Sequence, residues 1–270
     1  RTAVQQRVRG EYMDLGIQGK NAIVCASSRG LGRACAISLA REGANVILNG
    51  RDQAALSEAS NACTAFGVSV QTVNGDITLQ NTREALLEVC PEPDILVTNN
   101  GGPPPGDIKD WDHGAWIDAL EANMITHMLM IRAVLDGMVN RSFGRIVNIT
   151  SAMVKTPKAP MGLSTGARAG LTSVSKALSV EVAHANVTIN NLLPERINTG
   201  RQKFMAEMQA KRQGITVEAA YEQIAGTIAA GRLGLPEEFG DACAFLCSAQ
   251  AGFISGQNLQ LDGGSYEGLI

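Results

Sequence analysis

Short apolar runs alternate with amphipathic stretches along most of the chain, which is the pattern of strands and helices taken in turn. Ala22-Ile-Val-Cys-Ala26 is compact and rich in branched residues and predicts a buried parallel strand. Leu31, Ala34, Ile37 and Ala40 then follow at helical spacing, and Gly43 stands where a C-cap glycine is expected. Val46-Ile-Leu48 predicts a second strand, after which Asp52 opens a helix carrying Leu56, Ala59, Cys63 and Phe66 on one face. A third strand is predicted at Val68–Val73 and a fourth from Asp94 to Thr98, ending in Asn99, Asn100, Gly101 and Gly102. A long helix runs from about Trp111 to Val139, with Trp116, Leu120, Met124 and Ile131 among its apolar positions. Gly144–Ser151 predicts a fifth strand ending in two hydroxyls and Asn186–Leu193 a sixth, and residues 200–231 are polar and helical in pattern.

Strand, small-residue turn and helix in that order aim unpaired backbone N–H groups and the positive end of a helix dipole at one spot, which suits a phosphate. The turn after Ala26 is therefore expected to bind a nucleotide. At 270 residues the chain is long enough for one large α/β domain. A net charge of −3 gives no basic field for nucleic acid or an anionic membrane, and no apolar run approaches the roughly 18 residues of a bilayer span. The six cysteines are scattered rather than spaced as a disulfide framework, which fits a reducing cytoplasm. Cys243 and Cys247 stand one helical turn apart without a neighbouring His, a spacing of buried small hydrophobes rather than of a metal site. Residues 1–12 are polar and basic and read as an extension, with a single domain over 13–270.

The spacing Cys25-Ala26-x-x-x-Gly30-x-Gly32 resembles the TGxxxGxG turn of the short-chain dehydrogenase/reductase family, with Cys for Thr and Ala for the first Gly. Asn99-Asn-Gly-Gly102 resembles the family's NNAG motif. The stretches Gly231–Phe239 and Ile254–Gly264 resemble its C-terminal helix and last strand. The resemblance runs from about Leu15 to the end and is nearest to 3-oxoacyl-acyl-carrier-protein reductases. It implies a single Rossmann-type, doubly wound parallel sheet of about seven strands with helices on both faces, and a homotetramer. It also implies a dinucleotide held by Ala26, Ser28, Arg29, Gly30, Leu31 and Gly32, by Asp76 and Ile77 near the adenine, and by Asn100, Gly101 and Gly102. Pro194, Ile197 and Thr199, from a loop resembling PGxxxT, complete the set.

At the tip of the second strand Gly50 stands where NAD enzymes carry an acid, and Arg51 follows it. With Arg29 nearby, this favours NADP(H) over NAD(H), unless Arg51 is only a solvated loop charge. Asn123 falls where the family's helix-borne Asn holds a water in a proton relay; a buried amide bonding the backbone is the equal alternative. Ser151 falls on the family's carbonyl-binding Ser, but its Tyr and Lys positions are Ser164 and Arg168. Serine is a far weaker acid than tyrosine, and arginine does not give up a proton, so a nonstandard donor is expected. Lys155, Lys158 and a lid residue such as Tyr221 are candidates, while His113, His127 and His184 read as structural. The function implied is an NADP(H)-dependent oxidoreductase acting on a small carbonyl or alcohol, with a lid at about 200–231. The alternative is a nucleotide-binding or regulatory homologue that has lost turnover.

Overall fold

The computed structural model describes residues 13–269; the extension expected at 1–12 lies outside them. Each predicted strand forms, with most ends shifted by a residue or two: β1 (Asn21–Val24), β2 (Asn45–Gly50), β3 (Val70–Asn74), β4 (Ile95–Thr98), β5 (Gly144–Ile149), β6 (Val187–Pro194) and β7 (Asn258–Leu261). They make one sheet in the order β3-β2-β1-β4-β5-β6-β7, and every neighbouring pair is parallel.

Helices α1 (Gly30–Arg41), α2 (Gln53–Thr64), α3 (Gln80–Val89), α4 (His113–Leu120), α5 (Thr126–Asn140), α6 (Gly162–Val182), α7 (Gly200–Gln213), α8 (Val217–Gly226) and α9 (Pro236–Leu246) complete the fold. Side chains alternate across the sheet as strand geometry requires. Ala22 and Val24 enter a core with Leu39 of α1 and Phe239 of α9. Ile23 and Cys25 enter the opposite one with Ile131 of α5 and Val182 of α6. Because the strand order reverses between β1 and β4, their carboxyl ends leave a crevice between diverging connections.

Three expectations are corrected. β1 ends at Val24 rather than Ala26, because Ala26 turns into the left-handed region at φ 44°. The long helix begins at His113, since Asp112 caps it by accepting from the Ala115 N–H at 2.8 Å. A π-helical turn, Glu121–Ile125, then divides that helix into α4 and α5. The cysteines are all free and buried, Cys243 and Cys247 among them. No helix among the described residues is long and apolar enough to cross a membrane.

Candidate active site

The carboxyl edge of the sheet carries a cleft of about 990 Å³ that starts at the turn between β1 and α1 and runs past the ends of β4, β5 and β6 to α7. At its first end, Asn49 on β2 and Asn99 after β4 clamp the backbone of Ala26 from both sides. Asn49 Oδ1 accepts from the Ala26 N–H at 3.2 Å, and Asn99 Nδ2 donates to the Ala26 carbonyl at 3.1 Å. That clamp holds an alanine where φ is positive, a conformation that favours glycine. Gly32 shows how tight the turn is: a Cβ there would stand 2.5 Å from the Ala26 carbonyl oxygen and 2.8 Å from Asn99 Nδ2.

The N-terminus of α1 has no side-chain cap and no acid in its first turn, so its dipole and amide groups remain available to an anion. A Cβ on Gly30 would come 4.0 Å from that of Thr199, which N-caps α7 without a side-chain bond of its own. Two uncapped helix starts thus face each other across the groove. Their free amide groups suit an anion in the groove beside them.

Of the expected cofactor residues, Ala26, Arg29, Gly30, Leu31, Asn100, Gly101, Gly102, Pro194, Ile197 and Thr199 line this cleft. Ser28, Gly32, Arg51, Asp76 and Ile77 lie outside its lining. Ser28 packs under Gly50, where a Cβ would be 2.7 Å from the Ser28 Cβ and Oγ, so the end of β2 has no room for an acid. Arg29 reaches Asp52 at 2.6 Å and Arg51 reaches Asp76 at 3.5 Å, both at exposed positions. Asp76 also accepts from the Thr78 N–H and hydroxyl. Ile77 needs correction: its side chain is buried in a core with Leu86 and Cys90, so only its main chain is left to meet a ligand.

At the other end Ser151, Ser164 and Arg168 line the same cleft. Ser151 follows the end of β5 by two residues, capping a short turn, and its Oγ accepts from the Met153 N–H at 3.2 Å. Ser164 and Arg168 are one turn apart on α6, and Arg168 Nε donates to Ser164 Oγ at 3.2 Å while Nη1 donates to the Ile149 carbonyl at 3.1 Å. The Arg168 side chain is 6% exposed. Burial first, and then the charge of Arg201, push its guanidinium down to about 10, which still leaves it charged at neutral pH.

Beneath them Asn123, in the π turn, is 1% exposed, and neither of its amide atoms finds a protein partner among the described residues. Of the two readings of this residue, an amide bonding the backbone is the one the geometry does not support. His127, one turn on, sets its Nδ1 2.9 Å from Thr98 Oγ1, whose own proton goes to Asn148 Oδ1 at 2.7 Å. The imidazole is therefore the donor, and burial, with Arg168 adding, pushes it down to about 3. It is a neutral structural histidine.

Among the other expected proton donors, Lys158 lines the cleft and pairs with Glu195 at 3.8 Å. Lys155 lies over the Tyr266 ring instead. Tyr221 packs into a small cluster with Ala206 and Ile224 and does not line the cleft. Sequence reasoning missed two residues. Asn49 had only its place at a strand tip to mark it, and Arg201 nothing but membership of a polar stretch.

A family model described as enoyl-(acyl carrier protein) reductase matches residues 25–266. The chain is 30% identical over 256 residues to the NADPH-dependent reductase BacG of Bacillus subtilis (strain 168), covering 93% of this chain and 99% of that protein. It is 31% identical over 253 residues to the 3-oxoacyl-acyl-carrier-protein reductase FabG of Escherichia coli (strain K12), with the same coverage. Among solved structures it is similar to L-sorbose reductase from Gluconobacter frateurii complexed with NADPH and L-sorbose, at 29% identity and a TM-score of 0.90, covering 95% of this chain and all of that one. The parallel sheet with its crevice beside α1 and the similarity over more than nine-tenths of the sequence lead to one conclusion. The chain belongs to the short-chain dehydrogenase/reductase family.

Proposed function

We propose that the protein is an NADP(H)-dependent oxidoreductase that interconverts a carbonyl and an alcohol, with Ser164 and Arg168 standing where the family has its Tyr and Lys. The observation that carries this reading is that one cleft joins the uncapped start of α1 to Ser151, Ser164 and Arg168. The named relatives supply its direction: BacG is NADPH-dependent and the sorbose reductase was solved with NADPH. Bound at the turn, the dinucleotide supplies a hydride to the carbonyl carbon.

The protein's own groups do the rest. The amide groups at the starts of α1 and α7 hold the diphosphate, and Arg29 and Arg51 take the 2′-phosphate. Their present partners, Asp52 and Asp76, sit in exposed ion pairs, which water and salt screen and which yield readily. Ser151 donates a hydrogen bond to the carbonyl oxygen. Arg168, fixed by Ser164 and the Ile149 carbonyl, holds the ribose and offsets charge growing on that oxygen as the C=O π pair moves onto it. Asn123 holds a water behind Arg168, and the proton for the oxygen reaches it through water, with Lys158 the one lysine able to contribute from the cleft wall. Residues 200–231 act as the lid. Supporting that, α7 and α8 share a small core of their own, Ala206, Ala210, Ala220 and Ile224, apart from the two beside the sheet.

A second reading has one observation in its favour: no Tyr, His or Cys lines the cleft among the described residues, so a nucleotide-binding homologue without turnover fits the same geometry. NADPH oxidation across a panel of ketones, oxo acids and oxoacyl thioesters decides. Turnover on any member supports the reductase; tight NADPH binding with none on the whole panel supports the second reading. The free, buried cysteines are consistent with a reducing cytoplasm. The exposed Val174 and Val180 of α6, Phe253 and Leu259 support the homotetramer as part of the proposal.

A further inference from the structure

The far half of the cleft carries more positive charge than a dinucleotide calls for. Arg168 and Arg201 converge on the loop after β4. Arg168 Nη2 lies 3.3 Å from where a Cβ on Gly102 would be, and Arg201 Nη2 donates to the carbonyl of the next residue, Pro103, at 2.9 Å. Two guanidinium groups side by side repel each other; Arg168 is buried while Arg201 stands open to the cleft, and loss of water around each holds both below their ordinary range.

Among the described residues neither pairs with a carboxylate. The one acid lining the cleft among the described residues, Glu195, is held by Lys158, while Arg168, Arg196, Arg201 and Arg212 line the cleft as well, on a chain of net charge −3. The buried charge of Arg168 has no counter-charge in the protein, and Arg201, open to the cleft beside it, is free to meet a ligand that brings one. On α7, Arg201, Met205, Met208 and Arg212 share one face, and all four line the cleft. Methionines there offer an adaptable apolar wall directly beside the cations.

We propose that the substrate is an oxo acid with an apolar body, its carboxylate next to the carbonyl that is reduced, and that Arg201 beside Arg168 receives the carboxylate. The inference rests on the reductase reading above and names its substrate class. In a 2-oxo acid the carboxylate carbon is bonded to the carbonyl carbon, so the two oxygen sites match two adjacent guanidinium groups. Ser151 and Arg168 meet the carbonyl oxygen, and Arg201 grips the carboxylate through paired N–H donors. An ester or thioester would leave Arg201 desolvated and unmatched.

The test compares NADPH-dependent reduction of 2-oxo-4-phenylbutanoate with that of its ethyl ester, whose carbonyl is intrinsically the more electrophilic. In the native protein kcat/KM for the acid should exceed that for the ester about ten-fold or more, and Arg201→Gln should bring the ratio close to one, with NADPH affinity measured on the same sample. Equal rates for acid and ester, a preference for an oxoacyl thioester, or a ratio that survives Arg201→Gln would each overturn the proposal. So would a variant that keeps the acid preference and loses NADPH affinity, which would assign Arg201 to the cofactor. If NADPH binds but neither compound is reduced, the reductase reading fails separately. The receptor is then decided by binding of unreactive 4-phenylbutanoate to the NADP⁺ complex, followed by the fluorescence of Trp111, which packs against Gly106 and Gly162 near the cleft. Binding that Arg201→Gln abolishes upholds the receptor; no binding overturns it.

Discussion

At the scale of single residues, Gly32 and His127 make separate demands. A methyl group at Gly32 would press on the Ala26 carbonyl and on Asn99, and the clamp around Ala26 leaves neither room to move. Gly32→Ala is therefore expected to lower unfolding free energy by about 1–3 kcal/mol and to weaken NADPH binding, read by urea denaturation and calorimetry. His127 adds a pH dependence. Folded, its imidazole takes a proton only near pH 3, whereas in the unfolded chain it does so near 6.5. Between these values the unfolded chain binds the extra proton, so the stabilisation is complete above pH 6.5 and is lost as pH falls, at up to about 1.4 kcal/mol per unit. The urea midpoint should drop between pH 7 and pH 5, and His127→Gln should flatten that drop; parallel profiles would count against a buried neutral imidazole. Ser164→Tyr combined with Arg168→Lys should raise carbonyl reduction about ten-fold or more if only the acid is missing. Sequence spacing was enough to find Ser151, Ser164 and Arg168, because a strand end and one helical turn determine where they stand. It did not reveal the left-handed Ala26, since alanine carries no local sign of the two asparagine side chains that hold it there.

At the scale of elements, periodicity located the first six strands and the helices α1, α2 and α4–α5, the family resemblance located the last helix and strand, α3 was not anticipated, and turn chemistry decided the ends. Asp52, expected as an N-cap, accepts from the Ala55 N–H at 3.1 Å. The π turn between α4 and α5 was not legible, because a single extra residue in a helical turn leaves the apolar pattern on either side unchanged; its effect is to bury Asn123. The polar stretch after β6 resolved into α7 and α8 because Gly214 adopts a left-handed φ of 68° and ends the first of them. With only four small buried side chains forming its core, this pair should open more readily than the sheet. Amide exchange across 200–226 is expected to be faster than across β4 and β5, and to slow when NADPH is added. Exchange as slow as the central strands without ligand would rule out a lid.

For the whole molecule, alternation of strands and helices fits an α/β domain and the family resemblance implied the doubly wound sheet, while the reversal between β1 and β4 in the structure locates the crevice. What the chain pattern could not supply is how distant segments converge, as when α7 and the loop after β4 bring Arg201 beside Arg168. The family resemblance leads to the expectation of a tetramer, near four times the 28.4 kDa chain mass by light scattering, and exposed apolar side chains on α6 and β7 are consistent with it. A monomer at micromolar concentration would contradict it. The central claim is that a dinucleotide's diphosphate lies between the starts of α1 and α7 and that its 2′-phosphate meets Arg29 and Arg51. Calorimetric titration with NADPH and NADH tests it most directly. NADPH should bind more tightly than NADH, and Arg29→Ala or Arg51→Ala should erase most of the difference, about five- to ten-fold. No heat of binding for either nucleotide, or NADH bound as tightly as NADPH, would contradict it.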